Sequence, residues 1–89
     1  MLNNFESRGK QIREQSKQLV YDYMLYSNEC QNTSNGVTLA QIFRDCGFDW
    51  GEYEKATSSN QQYWCVALVR ELEQEGKVER LESKKWRLR

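Results

Sequence analysis

The sequence lacks histidine, long apolar runs and closely spaced cysteines, and these absences exclude several classes of function. None of its 89 residues is histidine, and the three cysteines, Cys30, Cys46 and Cys65, are odd in number and widely spaced. A Cys/His nucleophile pair is therefore excluded, and a zinc site loses its usual ligands. No apolar stretch approaches the roughly 20 residues that a membrane-spanning helix needs. We therefore expect free thiols in a cytoplasmic chain with no metal, no cofactor and no membrane insertion.

An excess of charge of one sign is also missing, because 13 basic residues balance 13 acidic ones. Bulk charge therefore neither indicates nor excludes a nucleic-acid partner, and the distribution of charge along the chain has to decide. With 38% hydrophobic residues and three Trp, five Tyr and three Phe, the composition is that of a folded chain. Its length corresponds to one domain.

Apolar residues recur at helical spacing in three segments. The first segment is predicted to be a helix over residues 12–30, preceded by a flexible arm over residues 1–11. The second is LAQIFRDCG, with Thr38 as the predicted N-cap and Gly47 as the residue that ends the helix.

The third helix is predicted over residues 61–75 and ends at Gly76. Ser59 and Gln62 stand at capping-box spacing at its start. The apolar stripes of the three helices predict a common core. In that core we expect Trp64, Leu68 and Leu72 to pack against Leu19, Tyr23, Ile42 and Phe43.

Two short strands are predicted after the third helix. The segments KVERL and KWRLR are separated by three residues and indicate a β-hairpin. In the second strand Trp86 and Leu88 alternate with basic residues, so one face is apolar and the other is basic. The alternation is less regular in the first strand, which predicts a bulge near the turn. Val37, far earlier in the chain, is predicted to pair as a very short strand.

The order of helix, loop, short helix, long helix and basic hairpin resembles the winged helix-turn-helix superfamily. The segment ALVRELEQEGKVERLESKKWRLR carries the resemblance best, because it looks like the end of a recognition helix, a glycine turn and a wing. The resemblance covers residues 12–89 and implies a mainly α fold, with a three-helix core and a C-terminal two-stranded β-hairpin. It implies either DNA binding or protein interaction, since a fold of this kind hosts both.

One segment departs from the pattern of the superfamily. Residues 48–59 form a longer insert where most members have a short turn. The insert contains three aromatic residues, Phe48, Trp50 and Tyr53. Asp49 and Glu52 have capping-box spacing, which predicts a helical turn over residues 50–56. The aromatic residues are predicted to be core residues, and the alternative is an exposed partner surface.

The hairpin is the main candidate for contact with nucleic acid. Residues 77–89 carry six basic residues against two acidic ones, whereas residues 45–59 carry four acidic residues against one basic one. This polarity attracts phosphate at the hairpin and repels it at the insert. We expect phosphate contacts from Arg80, Lys84, Lys85, Arg87 and Arg89. The resemblance also implies that the first turn of the third helix enters the major groove, where the base-reading residues would be Ser59, Asn60, Gln61, Gln62 and Tyr63.

Each of these observations has an alternative that needs no DNA. Basic residues on a hairpin edge prevent strands of different molecules from pairing, and Ser59 and Asn60 cap a helix without a ligand. The competing function is therefore a protein-interaction or dimerisation module. The predicted function is a transcriptional regulator, or the targeting part of a larger system, that binds double-stranded DNA. It is not expected to be an enzyme, because the acidic residues lie in no catalytic motif.

Overall fold

The computed structural model describes residues 4–49 and 59–89, the side chains of residues 59–64 excepted. In chain order the described elements are helix α1 (Phe5–Tyr26), a 3₁₀ turn (Asn28–Cys30), helix α2 (Leu39–Asp45), helix α3 (Ser59–Gln74), strand β1 (Val78–Arg80) and strand β2 (Trp86–Leu88). The fold is thus mainly helical with a two-stranded antiparallel sheet, as the sequence predicts. None of the described helices is both long and apolar enough to cross a bilayer.

Helix α1 begins at Phe5, seven residues before the predicted start at residue 12, so residues 5–11 of the predicted arm are helical. The side chain of Asn4 caps the helix, because its Oδ1 accepts a hydrogen bond from the N–H of Ser7 at 2.9 Å. Apolar periodicity gave no sign of this first turn, since its side chains are all exposed. The helix ends at Tyr26 rather than at Cys30, and the 3₁₀ turn follows. Residues 1–3 lie outside the described part of the chain.

Hydrogen bonds end α2 and α3 at the glycines that the sequence indicates. At the start of α2 the hydroxyl of Thr38 accepts from the N–H of Gln41 at 3.2 Å, which confirms the predicted N-cap. At its end the N–H of Phe48 donates to the carbonyl of Phe43, and the rings of these residues pack 6.2 Å apart. The end of α3 has the same Schellman pattern, since Lys77 N–H donates to Leu72.

Helix α3 starts at Ser59, two residues before the predicted boundary. The predicted capping box of Ser59 and Gln62 rests on side chains outside the described ones. The helical turn predicted over residues 50–56 also lies outside the described residues, as do Trp50 and Tyr53.

The core lies where α1, α2, α3 and the hairpin meet. Its buried hydrophobic residues are Val20, Met24, Cys30, Val37, Ile42, Phe43, Cys65, Leu68, Val69, Leu72, Val78 and Trp86. Leu68, Leu72, Ile42 and Phe43 therefore lie in the core as predicted, and Tyr23 packs against it half-buried. The prediction for Leu19 is wrong, because Val20 and Met24 form the inner face of α1 and turn Leu19 outward. The side chain of Trp64 is outside the described set.

The hairpin pairs Val78 with Leu88 and Arg80 with Trp86. Trp86 is buried and Leu88 packs against the core, which confirms the predicted apolar face. Lys84 has a φ of +71°, and its N–H donates to the carbonyl of Leu81 at 2.8 Å. The N–H of Leu81 in turn donates to the carbonyl of Lys85, also at 2.8 Å. This is a three-residue loop with a left-handed residue and a bulge at its end, in agreement with the predicted irregularity near the turn.

Val37 fixes the hairpin to the helical part. It forms an antiparallel bridge with Trp86, with N···O distances of 2.9 and 2.7 Å, so the predicted short strand pairs. The residue before it, Gly36, has a φ of +82°, and a Cβ there would lie 2.7 Å from the carbonyl oxygen of Trp86. Only glycine allows this close approach of the two backbones.

Candidate nucleic-acid interface

Arg87, one of the predicted phosphate-binding residues, is already bound within the protein. Its Nε lies 2.7 Å from a carboxylate oxygen of Glu79 on the neighbouring strand, and its Nη1 donates to the carbonyl of Ser34 at 2.9 Å. The guanidinium is half-buried by these contacts. Arg87 therefore joins the hairpin to the loop before Val37, and its charge is largely neutralised by Glu79.

The other four predicted phosphate-binding residues keep their charge available. We call Arg80, Lys84, Lys85 and Arg89 the hairpin cations. Within residues 4–49 and 59–89, none of them forms an ion pair with a carboxylate. Glu82, in the loop of the hairpin, forms no ion pair with a described residue either, so the loop region keeps a positive balance. This part of the hairpin can therefore attract an anion.

The hairpin cations lie at different places on the hairpin: Arg80 pairs with Trp86 across the strands, whereas Arg89 lies at the open end, where its N–H donates to the carbonyl of Lys77 at 3.2 Å. Lys84 is exposed in the loop, and Arg80 is exposed with its guanidinium 6.0 Å from the centre of the Trp86 ring.

Lys85 is half-buried and lines an open polar cavity of about 430 Å³ together with the loop over residues 28–36. Glu29 lines the same cavity, and the hydroxyl of Ser34 already donates to the carbonyl of Asn28 at 2.7 Å, so Lys85 is the one cation beside this cavity among the residues that line it.

Arg70 is a cation that the sequence reasoning missed. It lies on α3, and its guanidinium is 5.4 Å from the centre of the Trp86 ring. Arg80 stacks on the same ring, so Trp86 brings two arginines from different elements together. Arg70 also pairs with Glu73 at 3.2 Å, so the carboxylate partly offsets its positive charge. No pattern in the sequence indicates this contact, because Arg70 and Trp86 lie in different elements, 16 residues apart.

The cations where α1 meets the C-terminal end of α3 are paired with carboxylates. Lys17 of α1 lies 2.7 Å from Glu75, 3.3 Å from Glu71 and 3.2 Å from Glu14. Its hydrogen bond to Glu75 raises the pKa of Lys17 above the usual lysine value, although partial burial opposes the rise. The same bond lowers the pKa of Glu75. Lysine and glutamates therefore stabilise each other's charged forms.

Two further residues complete this arrangement. Arg13 pairs with Glu71, and Lys77 pairs with Glu75 at 3.2 Å while its ammonium lies 5.1 Å from the ring of Tyr21. We call Arg13, Lys17, Glu71, Glu75 and Lys77 the α1/α3 ion cluster. It joins Glu71 of α3, and Glu75 just after that helix, to α1. Lys77 is thus a basic residue of the hairpin segment that belongs to the ion cluster and not to the hairpin cations.

The predicted base-reading residues occupy the start of α3. Ser59, Asn60, Gln61, Gln62 and Tyr63 are all within the helix, but their side chains lie outside the described ones. The contact between Trp86 and Arg70 shows that the hairpin returns along α3 from Gly76, so its loop extends in the direction of the N-terminal half of that helix. The prediction that both regions face one DNA duplex remains a prediction.

The three cysteine thiols are buried or half-buried. Burial raises the pKa of the Cys46 thiol to about 11 and that of Cys65 to about 12, and it also raises the pKa of Cys30. All three are free thiols, and these pKa values keep them protonated at neutral pH. Among the described residues, no group of three or more cysteine or acidic side chains is placed to hold a metal ion.

Comparisons with known proteins found no match for this chain among family models, curated proteins or solved structures.

Proposed function

We propose that this chain is a winged-helix domain that binds double-stranded DNA, acting in the cytoplasm as a transcriptional regulator or as the targeting part of a larger system. It would act by binding and not by catalysis. The hairpin would serve as the wing, and α3 as the recognition helix.

The order and pairing of the elements support the winged-helix assignment. Three helices precede the hairpin, and Val37, between α1 and α2, adds a third strand segment beside β2 through its bridge to Trp86. The resemblance implies a three-helix core followed by a two-stranded hairpin, and the described elements follow that order. The Schellman end of α3 at Gly76 then directs the chain back along the helix into β1.

The observation that carries the functional proposal is the absence of carboxylate partners for the hairpin cations. Within the described part of the chain the α1/α3 ion cluster neutralises Arg13, Lys17 and Lys77, while Arg80, Lys84, Lys85 and Arg89 form no ion pair. Unpaired cations release counterions when they contact phosphates, which is the main source of affinity for DNA irrespective of sequence. Paired cations would first have to break their ion pairs.

Base recognition is proposed for the first turn of α3. Asn and Gln side chains bond bidentately to adenine, and Ser reads either type of base, so Asn60, Gln61 and Gln62 have suitable chemistry. The C-terminal half of α3 carries Glu71 and Glu73, and Glu75 follows the helix. The cations near these carboxylates are already paired with them, so this half of α3 offers phosphate no unpaired cation, and only the N-terminal turn of α3 would approach the groove.

The experiment that tests this function reverses two hairpin cations and compares the result with an equal change elsewhere. Lys84→Glu combined with Lys85→Glu should lower the affinity for a mixed-sequence DNA duplex at low salt by at least about tenfold. The matched control, Lys10→Glu combined with Lys77→Glu, changes the net charge by the same amount. Both control residues form ion pairs, with Glu6 at 3.0 Å and with Glu75 at 3.2 Å. Fluorescence anisotropy measures the binding, and circular dichroism verifies the fold of each variant.

Two outcomes would overturn the proposal. If the two double variants lose affinity equally, net charge and not the hairpin determines binding. If the wild-type chain binds no duplex even at low salt, where the electrostatic attraction is greatest, the domain is a protein-interaction module and not a DNA-binding one.

A further inference from the structure

The loop before Val37 contains an asparagine followed directly by a glycine, Asn35 and Gly36. Of the asparagines in the sequence, Asn35 is the one that precedes a glycine. Glycine has no Cβ, so its backbone nitrogen can approach the side-chain amide of the preceding residue without obstruction. Asn35 is exposed, and water therefore reaches its amide. These two residues have the chemistry of a deamidation site.

Deamidation at such a pair proceeds through a cyclic imide. The backbone nitrogen of Gly36 attacks the side-chain carbonyl carbon of Asn35, a C–N bond forms, and the amide nitrogen leaves as ammonia with the proton of the Gly36 N–H. Water then hydrolyses the ring at one of its two carbonyls. Opening at the side-chain carbonyl gives aspartate, and opening at the main-chain carbonyl gives isoaspartate, whose main chain is longer by one carbon. The reaction consumes water, releases ammonia and involves no oxidation.

Contacts on both sides of Asn35 hold the attacking nitrogen in the folded chain. The N–H of Gly36 donates to the carbonyl of Glu29 at 2.9 Å, so the nitrogen keeps its proton and a fixed orientation. The carbonyl of Ser34 accepts from the guanidinium of Arg87 at 2.9 Å, which ties the peptide before Asn35 to strand β2. Ring closure requires the backbone to rotate and the Gly36 N–H to lose its acceptor. The folded loop therefore opposes the reaction.

Gly36 is also the point where a longer main chain would no longer fit. A Cβ on Gly36 would already lie 2.7 Å from the carbonyl oxygen of Trp86. The next residue, Val37, forms the bridge to Trp86 that joins the hairpin to the helical part. An additional main-chain carbon just before Gly36 would push it against Trp86 or shift Val37 out of the bridge. Isoaspartate at position 35 is therefore incompatible with the closed hairpin.

We propose that Asn35 is a modification site that deamidates when the hairpin separates from the loop over residues 28–36, and that the isoaspartyl product keeps the hairpin from closing again. Proteins open locally at a lower free energy than that of global unfolding, so the hairpin can separate while the helices stay folded. The rate of deamidation then measures how often the bridge between Val37 and Trp86 opens. This inference concerns the attachment of the hairpin and does not depend on DNA binding.

Incubation of the full chain at mildly alkaline pH, with and without guanidinium chloride, tests the protection of Asn35. Peptide mapping by mass spectrometry measures the fraction deamidated at each asparagine over time. We expect deamidation of Asn35 to be at least about tenfold slower in the folded chain, because the reaction follows the population of the open form. Asn32, exposed in the same loop but followed by Thr33, is the internal reference and should react slowly in both conditions. Equal rates at Asn35 in the folded and unfolded chain would overturn the proposal.

Two arginine variants test whether the hairpin is what protects Asn35. Arg87→Gln removes the hydrogen bond to Ser34 and should raise the rate of deamidation in the folded chain by at least about threefold, since hydrogen bonds from charged groups are among the stronger ones. Arg89→Gln removes an exposed arginine on the same strand segment and should leave the rate unchanged. Circular dichroism verifies the fold of both variants. Equal rates in the two variants would contradict protection by the hairpin.

The stability of the products tests the effect of the longer main chain. Asn35→Asp has the charge of the modified chain but a main chain of normal length, so its denaturant midpoint should stay close to that of the wild type. The isoaspartyl chain, isolated by reversed-phase chromatography and refolded, should unfold at a lower denaturant concentration than Asn35→Asp. Urea unfolding monitored by circular dichroism measures both. Identical midpoints for the two chains would show that the closed hairpin accepts isoaspartate, which would overturn the proposed trapping of the open hairpin.

Discussion

Two regions of this small molecule differ in whether their cations are paired with carboxylates. In the α1/α3 ion cluster, Lys17 has three carboxylate partners within 3.3 Å. On the hairpin, Lys84 and Lys85 form no ion pair with any carboxylate in the described part of the chain. Both regions are rich in charged residues, so composition does not separate them. The difference teaches that the availability of a cation, rather than its presence, decides whether a surface can hold phosphate.

The hairpin itself shows the same contrast over a few residues. Arg87 points across the strands to Glu79, and Lys77 points back to Glu75, whereas Arg80 and Lys84 have no such partner among the described residues. A count of charges in the sequence includes all of these cations. In the folded chain two of these cations, Lys77 and Arg87, are paired with carboxylates and are less available to an anion. Of the five predicted phosphate-binding residues, Arg87 is the one that already has a carboxylate partner in the described part of the chain.

The largest expected effect comes from breaking the core that holds both regions in place. Leu68→Ala should lower the free energy of unfolding by about 2–5 kcal/mol, because it removes a buried side chain between α3 and the other elements. Leu19→Ala is the matched control and should have a much smaller effect, since Leu19 lies on the exposed face of α1. Urea unfolding monitored by circular dichroism measures both. Equal losses of stability would contradict the packing of α1 described here.

A second prediction sharpens the contrast between contact with phosphate and contact with bases. Changing Gln61 and Gln62 to Ala should relax the preference among DNA sequences by about 1–3 kcal/mol for each lost bidentate contact, while leaving the salt dependence of binding unchanged. Reversal of hairpin cations should do the opposite, because phosphate contacts carry no sequence information. Competition binding with a panel of duplexes at two salt concentrations separates the two effects. A loss of salt dependence on removal of the glutamines would show that the start of α3 does not read bases.

A smaller effect concerns the pH dependence of the α1/α3 ion cluster. The pKa of Glu75 is lowered in the folded chain by its hydrogen bond to Lys17. Its contribution to stability is therefore present above the ordinary glutamate pKa of about 4.3 and is lost as the pH falls through the lower folded-state value. Glu75→Gln should consequently make the acid-induced loss of stability less steep than in the wild type. Urea unfolding between pH 6 and pH 3 measures it, and identical pH profiles would mean that the Lys17 contact contributes nothing.

The helical core and hairpin could be predicted because short-range signals specify them. Thr38 is a good N-cap, Gly76 ends α3, and Trp86 alternates with basic residues, and each of these features depends only on neighbours in the sequence. The start of α1 was missed for a related reason. Its first turn is stabilised by the cap at Asn4 and buries nothing, so the periodicity of apolar residues gives no signal before Ile12.

Which charged residues pair with one another could not be predicted in the same way. The partners of Lys17 lie 54 and 58 residues away in the chain, and the contact of Arg87 with Ser34 spans 53 residues. Pairings over such distances depend on how the helices and the hairpin pack together. The exposure of Leu19 could not be predicted for the same reason. Apolar residues cover a wide part of the α1 surface, and their spacing alone does not show which of them pack against the other elements.

The salt dependence of duplex binding tests the central claim most directly, because its slope counts the cations that contact phosphate. We predict that Lys85→Gln lowers the magnitude of the slope of log K against log salt concentration by about 0.9, the value for one lost phosphate contact. Lys77→Gln, which removes a cation of the same hairpin segment that is already paired with Glu75, should leave the slope unchanged. Equal changes in the slope for the two variants would show that ion pairing does not select the phosphate-binding residues, and the account would be wrong.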